Sequence, residues 1–171
     1  MSAPTVFTFS VDSALLRELG EKLVSTVHVA LAELVKNAYD ADASAVRVSI
    51  TPQAKGGPTI VIEDNGTGMT PTEVANFWMR IGTTNKEDTP MSRLFGRPRT
   101  GRKGVGRFAC RRLGSRLKLE TIATIEDPKK GSWVTTRTVV DFNWDEFVPG
   151  TTVESVDCKG LTETLPGKKI T

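Results

Sequence analysis

Two polar side chains, four residues apart, could address one ligand. Glu33 and Asn37 lie in the stretch Glu-Leu-Val-Lys-Asn-Ala-Tyr-Asp-Ala-Asp-Ala, and an apolar period near 3.6 predicts a helix from about Ser25 to Tyr39. Residues four apart share a helix face, so a carboxylate and an amide oxygen point the same way. Mg²⁺ prefers oxygen ligands and keeps several waters, and it suits such a pair. Alone, the pair also fits a solvated helix face.

A second group of residues could bind a flat, amine-bearing ring. The apolar run Ile-Val-Ile ends in Glu63-Asp64, followed by Asn-Gly-Thr-Gly-Met69. A carboxylate at a strand end can accept a hydrogen bond from an exocyclic amine such as that of adenine, and the glycines let the backbone pass close to the ring. The same residues also fit an ordinary Asp-Asn-Gly turn.

A third group suits an anion. The sequence Gly101-Arg-Lys-Gly-Val-Gly106 precedes a predicted helix and lies within a basic run, since residues 93–118 hold ten Lys or Arg and no Asp or Glu. Backbone N–H groups at a glycine-rich helix start, with the helix dipole, favour negative charge. Three interpretations of the run stay open: a solvated basic face, a polyphosphate ligand and a nucleic-acid backbone.

The elements around these residues predict an α+β two-layer sandwich. Helices and mostly antiparallel strands follow one another without a regular βαβ alternation. Residues 82–103 show no periodicity, and a connection of this length is typical of a lid or of a disordered segment. The predicted elements are a helix capped by Asp12 or Ser13 and ending at Gly20, a hairpin of Val46–Ile50 and Ile60–Ile62, a helix from Thr70 to about Ile81, a helix from Gly104 to Gly114, and strands Leu117–Ile125 and Trp133–Phe142.

Composition bounds the class of protein. The 171 residues, 38% of them hydrophobic, predict one domain over 1–171 with a net charge of +3. Cys110 and Cys158 have no metal-ligand spacing and define no disulfide framework. The N-terminal stretch MSAPTVFTFS resembles neither a signal peptide nor a membrane anchor. We expect a soluble, cytoplasmic protein.

Together, the three groups of residues resemble the GHKL superfamily of gyrase, heat-shock chaperone, histidine kinase and MutL ATP-binding domains. The Glu-x-x-x-Asn helix, the Asp-x-Gly-x-Gly turn and the Gly-x-x-Gly-x-Gly lid motif occur in that order between about residues 13 and 115. Residues 77–78 and 81–86 are similar to the lid entrance of the chaperone-like and MORC-like branches. The resemblance implies the two-layer Bergerat fold, with helices on one face of a mixed, mostly antiparallel sheet.

The resemblance also implies roles for individual residues. Asn37 would bind Mg²⁺, and Glu33 would be the base that orients the attacking water. Asp64 would accept from the adenine amine, with Gly66 and Gly68 admitting the base and Met69 packing on its face. The remaining residues implied for binding ATP are Asp40, Thr83, Thr84, Gly101, Lys103, Gly104, Val105 and Gly106.

Some features and partners stay open. The family's late Gly-Thr pair is either Gly150-Thr151 or lies beyond Thr171. The resemblance implies slow hydrolysis of ATP, a following domain in a longer protein and a nucleotide-dependent homodimer, without a membrane partner. A sensor histidine kinase is disfavoured because the single histidine, His28, lies in an apolar-rich helix start without a preceding dimerisation hairpin. The alternative from another class is a nucleic-acid-binding module that uses residues 93–118.

Overall fold

The computed structural model of the chain describes residues 10–24, 26–81, 89–100, 108–127, 129 and 131–166. Its helices are α1 (Ala14–Leu23), α2 (Val27–Asp40), α3 (Pro71–Glu73), which continues as a π-helical turn (Val74–Trp78), and α4 (Ala109–Leu113). Its strands are β1 (Val46–Thr51), β2 (Thr59–Asp64), β3 (Arg116–Asp127), β4 (Ser132–Asn143) and β5 (Lys159–Leu165), with short 3₁₀ turns at Trp144–Glu146 and Val153–Ser155.

The described strands form two antiparallel sheets. β1 pairs with β2 as a hairpin, and β4 lies between β3 and β5. The predicted α+β class is therefore confirmed, and so are the two predicted strand pairs. β5 was not predicted, because its residues Lys-Gly-Leu-Thr-Glu-Thr-Leu are mostly exposed and carry little apolar alternation.

The helices pack around α4. This helix contacts both α1 and α2, and Ala109 at its start is completely buried with Val24 and Ala30. Beside them an aromatic cluster joins Phe108, at the start of α4, to Trp144. The helical layer and the three-stranded sheet thus share one apolar core.

Gly20 does not end α1, contrary to the sequence-based prediction. The helix continues for three residues to Leu23, and Gly20 is buried within it. A Cβ at this position would lie 2.8 Å from Cβ of Arg111 and 3.0 Å from the carbonyl oxygen of Phe108. Glycine at this position therefore allows α1 and α4 to pack closely, and it does not mark a helix end.

The helix that begins after Thr70 is shorter than predicted. Its capping box is confirmed, because Thr70 Oγ1 accepts from the backbone N–H of Glu73 and Glu73 Oε2 accepts from that of Thr70. The helix then widens into a π turn, closed by the N–H of Met79 donating to the carbonyl of Val74 (2.9 Å). It ends at Trp78 rather than Ile81, and the wider turn lets Val74 and Trp78 both pack toward β4.

Residues 89–100, the described part of the predicted lid, form a small hairpin that we call the arm. Met91 and Pro98 make an isolated antiparallel bridge. The N–H of Ser92 donates to the carbonyl of Arg97 (2.9 Å), and the N–H of Arg99 donates to that of Pro90 (2.8 Å). The arm thus has a defined backbone, although its sequence predicted only an irregular loop.

Candidate functional site

A broad cleft lies between α2, the end of β2 and β3. Seven residues predicted to bind or act on a nucleotide line it, and they come from two separate stretches of the sequence. They are Glu33, Asn37, Asp40, Asp64, Gly66, Gly68 and Met69. The fold therefore brings two of the three motifs to one cavity.

α2 presents Glu33 and Asn37 to the cleft. Both residues line the cleft, so the pair shares one side of the helix, as predicted. Lys36 Nζ lies 2.8 Å from Glu33 Oε1. An ion pair this exposed contributes little to stability, about 0–1 kcal/mol, so a ligand could displace Lys36. Asn37 is half-buried, and its amide oxygen suits Mg²⁺.

β2 delivers Asp64 to the opposite wall of the cleft. Asp64 is the last residue of the strand and is exposed, and its Oδ1 accepts from the N–H of Gly66 (2.9 Å). No described residue donates to Oδ2. The carboxylate is thus held at one oxygen and can accept from a ligand at the other.

The turn after Asp64 is tied to the residues that leave α2, which we call the exit segment (residues 40–45). Asn65 Oδ1 accepts from the N–H groups of Ser44 and Ala45, both at 2.9 Å. The N–H of Thr67 donates to the carbonyl of Ala41 (2.8 Å). Sequence reasoning gave Asn65 no role, although an Asn after a strand is a residue type that commonly caps backbone groups.

The two glycines of this turn lie against protein backbone. A Cβ on Gly66 would lie 2.6 Å from the carbonyl oxygen of Ala41. Gly68 has φ +65°, and its Cβ would lie only 2.0 Å from the carbonyl oxygen of Ile122 in β3. Packing alone therefore requires glycine at both positions, and the predicted approach of an adenine ring remains a prediction.

Met69 and Thr121 connect the turn to the large sheet. The N–H of Met69 donates to Thr121 Oγ1 (2.8 Å), and the Met69 side chain packs against Val74, Val140 and Phe142. Thr121 is buried and lines the cleft. Sequence reasoning missed Thr121, because a threonine within a strand pattern gives no sign that it faces a cavity.

Asp40 lies at the end of α2, where it binds the arm. The side chain is 5% exposed, and its Oδ1 accepts from both the N–H (2.8 Å) and Oγ1 (3.1 Å) of Thr100. The sequence placed Asp40 among the residues that bind ATP. In the structure, these two bonds hold protein backbone at the rim of the cleft.

Several predicted site residues fall outside the described part of the chain. They are Thr83, Thr84, Gly101, Lys103, Gly104, Val105 and Gly106. The Gly-Thr alternative at residues 150–151 lies in a turn instead of opening a strand. There the N–H of Gly150 donates to Asp12 Oδ2 (2.8 Å), and Thr151 Oγ1 lies 2.6 Å from Ser13 Oγ. This turn packs on the start of α1 and does not line the cleft.

The remaining features concern histidine, cysteine, metal-binding groups and membrane-spanning helices among the described residues. His28 is an exposed residue beside Thr26, and Cys110 and Cys158 are both free thiols. No group of three His, Cys, Asp or Glu side chains in the described ranges could hold a metal ion. None of the described helices is long and apolar enough to cross a membrane.

The chain is an α+β domain whose cleft places a polar helix face opposite a strand-end aspartate and a glycine turn. The family model described as histidine kinase-, DNA gyrase B- and HSP90-like ATPase matches residues 24–164. The chain belongs to this family, and the predicted GHKL membership is confirmed.

One curated relative gives a partial match. A protein of Herpetosiphon aurantiacus named putative type II restriction enzyme HgiDII is 37% identical over 102 residues. The matched part covers 60% of this chain and 15% of that protein. The chain is therefore similar to a small portion of a much longer protein.

Proposed function

We propose that this domain binds ATP with Mg²⁺ in the cleft and hydrolyses it slowly, as the nucleotide-driven switch of a larger protein. The observation that carries the proposal is the placement of Glu33, Asn37 and Asp64 around one cavity. These residues are separated by up to 31 positions, and their types suit a water, a divalent cation and an adenine amine, respectively.

The base end of the ligand would lie at the turn after β2. Asp64 Oδ2 would accept from the adenine amine, because Oδ1 already accepts from Gly66. Met69 lines the same part of the cleft and would pack on the ring.

The phosphate end would lie along α2. Asn37 would contribute its amide oxygen to Mg²⁺, which would offset the negative charge of the phosphates when bound. Glu33 would accept a hydrogen bond from the attacking water and align it with the terminal phosphate. Lys36 contacts Oε1 of Glu33, so Oε2 would be the oxygen that accepts from the water.

We also propose that the glycine segment 101–106, with Lys103, encloses the phosphates, and that Thr83 and Thr84 lie at the lid entrance. Ordering of this lid on binding ATP would promote association of two subunits, with a following domain as the recipient of the change. The sequence of residues 81–86 supports placing the chain near the chaperone-like and MORC-like branches.

Calorimetric titration of this chain with MgATP and MgADP tests the proposal. We expect binding, and we expect Asp64→Asn to weaken it by about 10–100-fold, the usual worth of a hydrogen bond to a charged group. Asp145→Asn is the matched control, because Asp145 is exposed and does not line the cleft. Absence of adenine-nucleotide binding at millimolar concentration would remove the central claim, and normal binding by Asp64→Asn would remove Asp64 from the site.

Binding of nucleic acid is the second candidate function, supported by the basic run 93–118 and by the name of the partly similar restriction enzyme. Arginines of that run also make contacts within the protein: Arg93 forms an ion pair with Glu73, and Arg97 donates to the carbonyl of Ala43. Filter binding of DNA with and without MgATP separates the two functions. Salt-sensitive binding that is indifferent to MgATP would favour the nucleic-acid module.

A further inference from the structure

The arm is attached to the exit segment by a buried carboxylate. Asp42 is 4% exposed, and its Oδ2 and Oδ1 accept from the N–H groups of Leu94 (2.8 Å) and Phe95 (3.1 Å). Its backbone has φ +65°, which is strained for a residue with a side chain. A conformation of this kind persists because the surrounding contacts hold it in place.

Arg97 holds the arm from the other side. Its Nη1 donates to the carbonyl of Ala43 (2.6 Å), and its guanidinium lies 4.9 Å from the ring centre of Tyr39 and 4.6 Å from that of Phe95. These are cation–π distances. With Asp40 bound to Thr100 as well, the exit segment fixes the arm at three points.

The arm places Arg99 at the cleft. Arg99 directly precedes Thr100, which binds Asp40, and Asp40 lies one helical turn beyond Asn37, about 4.5 Å along the helix axis. Arg99 lines the cleft. Its Nη1 donates to Thr89 Oγ1 (2.8 Å), which orients the guanidinium plane.

Among the described residues Arg99 has no carboxylate partner, whereas two other cations that line the cleft do have one. Lys36 pairs with Glu33, and Arg93 pairs with Glu73. No carboxylate of the described residues forms an ion pair with Arg99. Its buried Nε also has no acceptor there, and an unsatisfied buried donor costs about 1–3 kcal/mol. A bound anion would remove this cost.

We propose that Arg99 is a phosphate-binding residue of the nucleotide site, supplied within the domain itself, and that Asp42 is the positioning residue that holds the arm for it. The proposal rests on the function proposed above and names a further residue of the same site. The planar guanidinium carries several N–H donors, a geometry that suits phosphate oxygens.

Calorimetry with adenosine and with MgATP tests the role of Arg99. Arg99→Gln should weaken MgATP binding by about 10–100-fold and leave adenosine binding unchanged, because adenosine has no phosphate. Arg99→Lys should lie between Arg99→Gln and the wild type, since lysine keeps the charge without the planar fork. Arg47→Gln is the matched control, as Arg47 is exposed on β1 and does not line the cleft.

Three outcomes would overturn the proposal, and each contradicts a different part of it. Unchanged MgATP affinity in Arg99→Gln would exclude the phosphate contact. Equal losses for adenosine and MgATP would make Arg99 a structural residue. A wild-type chain that bound neither ligand would overturn the proposed function, and this proposal with it.

A double-mutant cycle tests the positioning role of Asp42. Asp42→Asn keeps the shape of the side chain and removes its charge, and we expect it to lower MgATP affinity by about 3–10-fold without affecting adenosine. In the Arg99→Gln background the same substitution should have no further effect, because its influence passes through Arg99. Additive losses would overturn the positioning role, and thermal unfolding of each variant would show that it is folded.

Discussion

Replacing Gly68 with alanine should destabilise the domain far more than the same change at Gly131. Both glycines have left-handed backbones, with φ +65° and +61°, so alanine meets a similar backbone cost at each site, about 1–2 kcal/mol. Their surroundings differ. The added Cβ at Gly131 meets nothing within 4 Å, whereas at Gly68 it lies 2.0 Å from the carbonyl oxygen of Ile122 and 2.7 Å from its carbonyl carbon.

The magnitude follows from the movement that this contact requires. Real Cβ atoms essentially never approach other atoms to under 3.0 Å, so the turn and β3 must separate by about 1 Å. β3 cannot yield easily, because it is paired with β4 along its full length. Forcing extra atoms into a packed site typically costs about 1–3 kcal/mol. We therefore expect Gly68→Ala to lose about 2–5 kcal/mol and Gly131→Ala about 1–2 kcal/mol.

Urea unfolding followed by circular dichroism gives the free energy of unfolding of both variants. A typical domain is stable by about 5–15 kcal/mol, so the expected difference is easily measured. If the two variants differed by less than about 0.5 kcal/mol, within the usual range of surface substitutions, the close contact of Gly68 with β3 would be refuted. Gly68 would then be explained by the approach of a ligand alone.

Further predictions concern catalysis, pH and thiol chemistry. In the full-length protein, Glu33→Ala should leave nucleotide affinity nearly intact and lower steady-state turnover by about 10²–10⁴-fold, while Asn37→Ala should weaken binding in a Mg²⁺-dependent way, measured by titration with and without EDTA. Burial raises the pKa of Asp42, but hydrogen bonds from the arm and the charge of Arg97 outweigh burial and hold this pKa below its usual value. The stabilising effect of its charge should therefore be full above the unfolded-state pKa of about 4 and decline as pH falls further, so the stability difference between wild type and Asp42→Asn should shrink in acid urea titrations. Burial raises the pKa of the Cys110 thiol to about 12, so iodoacetamide at neutral pH should leave native Cys110 unmodified and label it only after unfolding.

Local patterns predicted the elements that carry the chemistry. The apolar period of α2 gave the shared face of Glu33 and Asn37, and the Thr70 capping box gave the start of α3. In each case the deciding interactions lie within four residues of one another, so they are visible in the sequence.

Long-range packing decided the features that the sequence did not reveal. Glycine is typical of helix ends, yet the role of Gly20 depends on its contact with Arg111 in another helix. The sequence predicted no role for Asp42 or Asn65, whose partners lie 52 and 21 residues away. No local pattern encodes such partners. The arm is the clearest case, since it is attached by contacts to the exit segment, which its own sequence does not reveal.

The exit segment links the unfolding of the turn after β2 to the unfolding of the arm. Within a few residues it bonds the turn after β2 through Ala41 and Ser44, and the arm through Asp40 and Asp42. Fraying of the last turn of α2 would release both attachments at once. We therefore expect the turn and the arm to form one cooperative unit with the end of α2, in which amide protons exchange together rather than segment by segment.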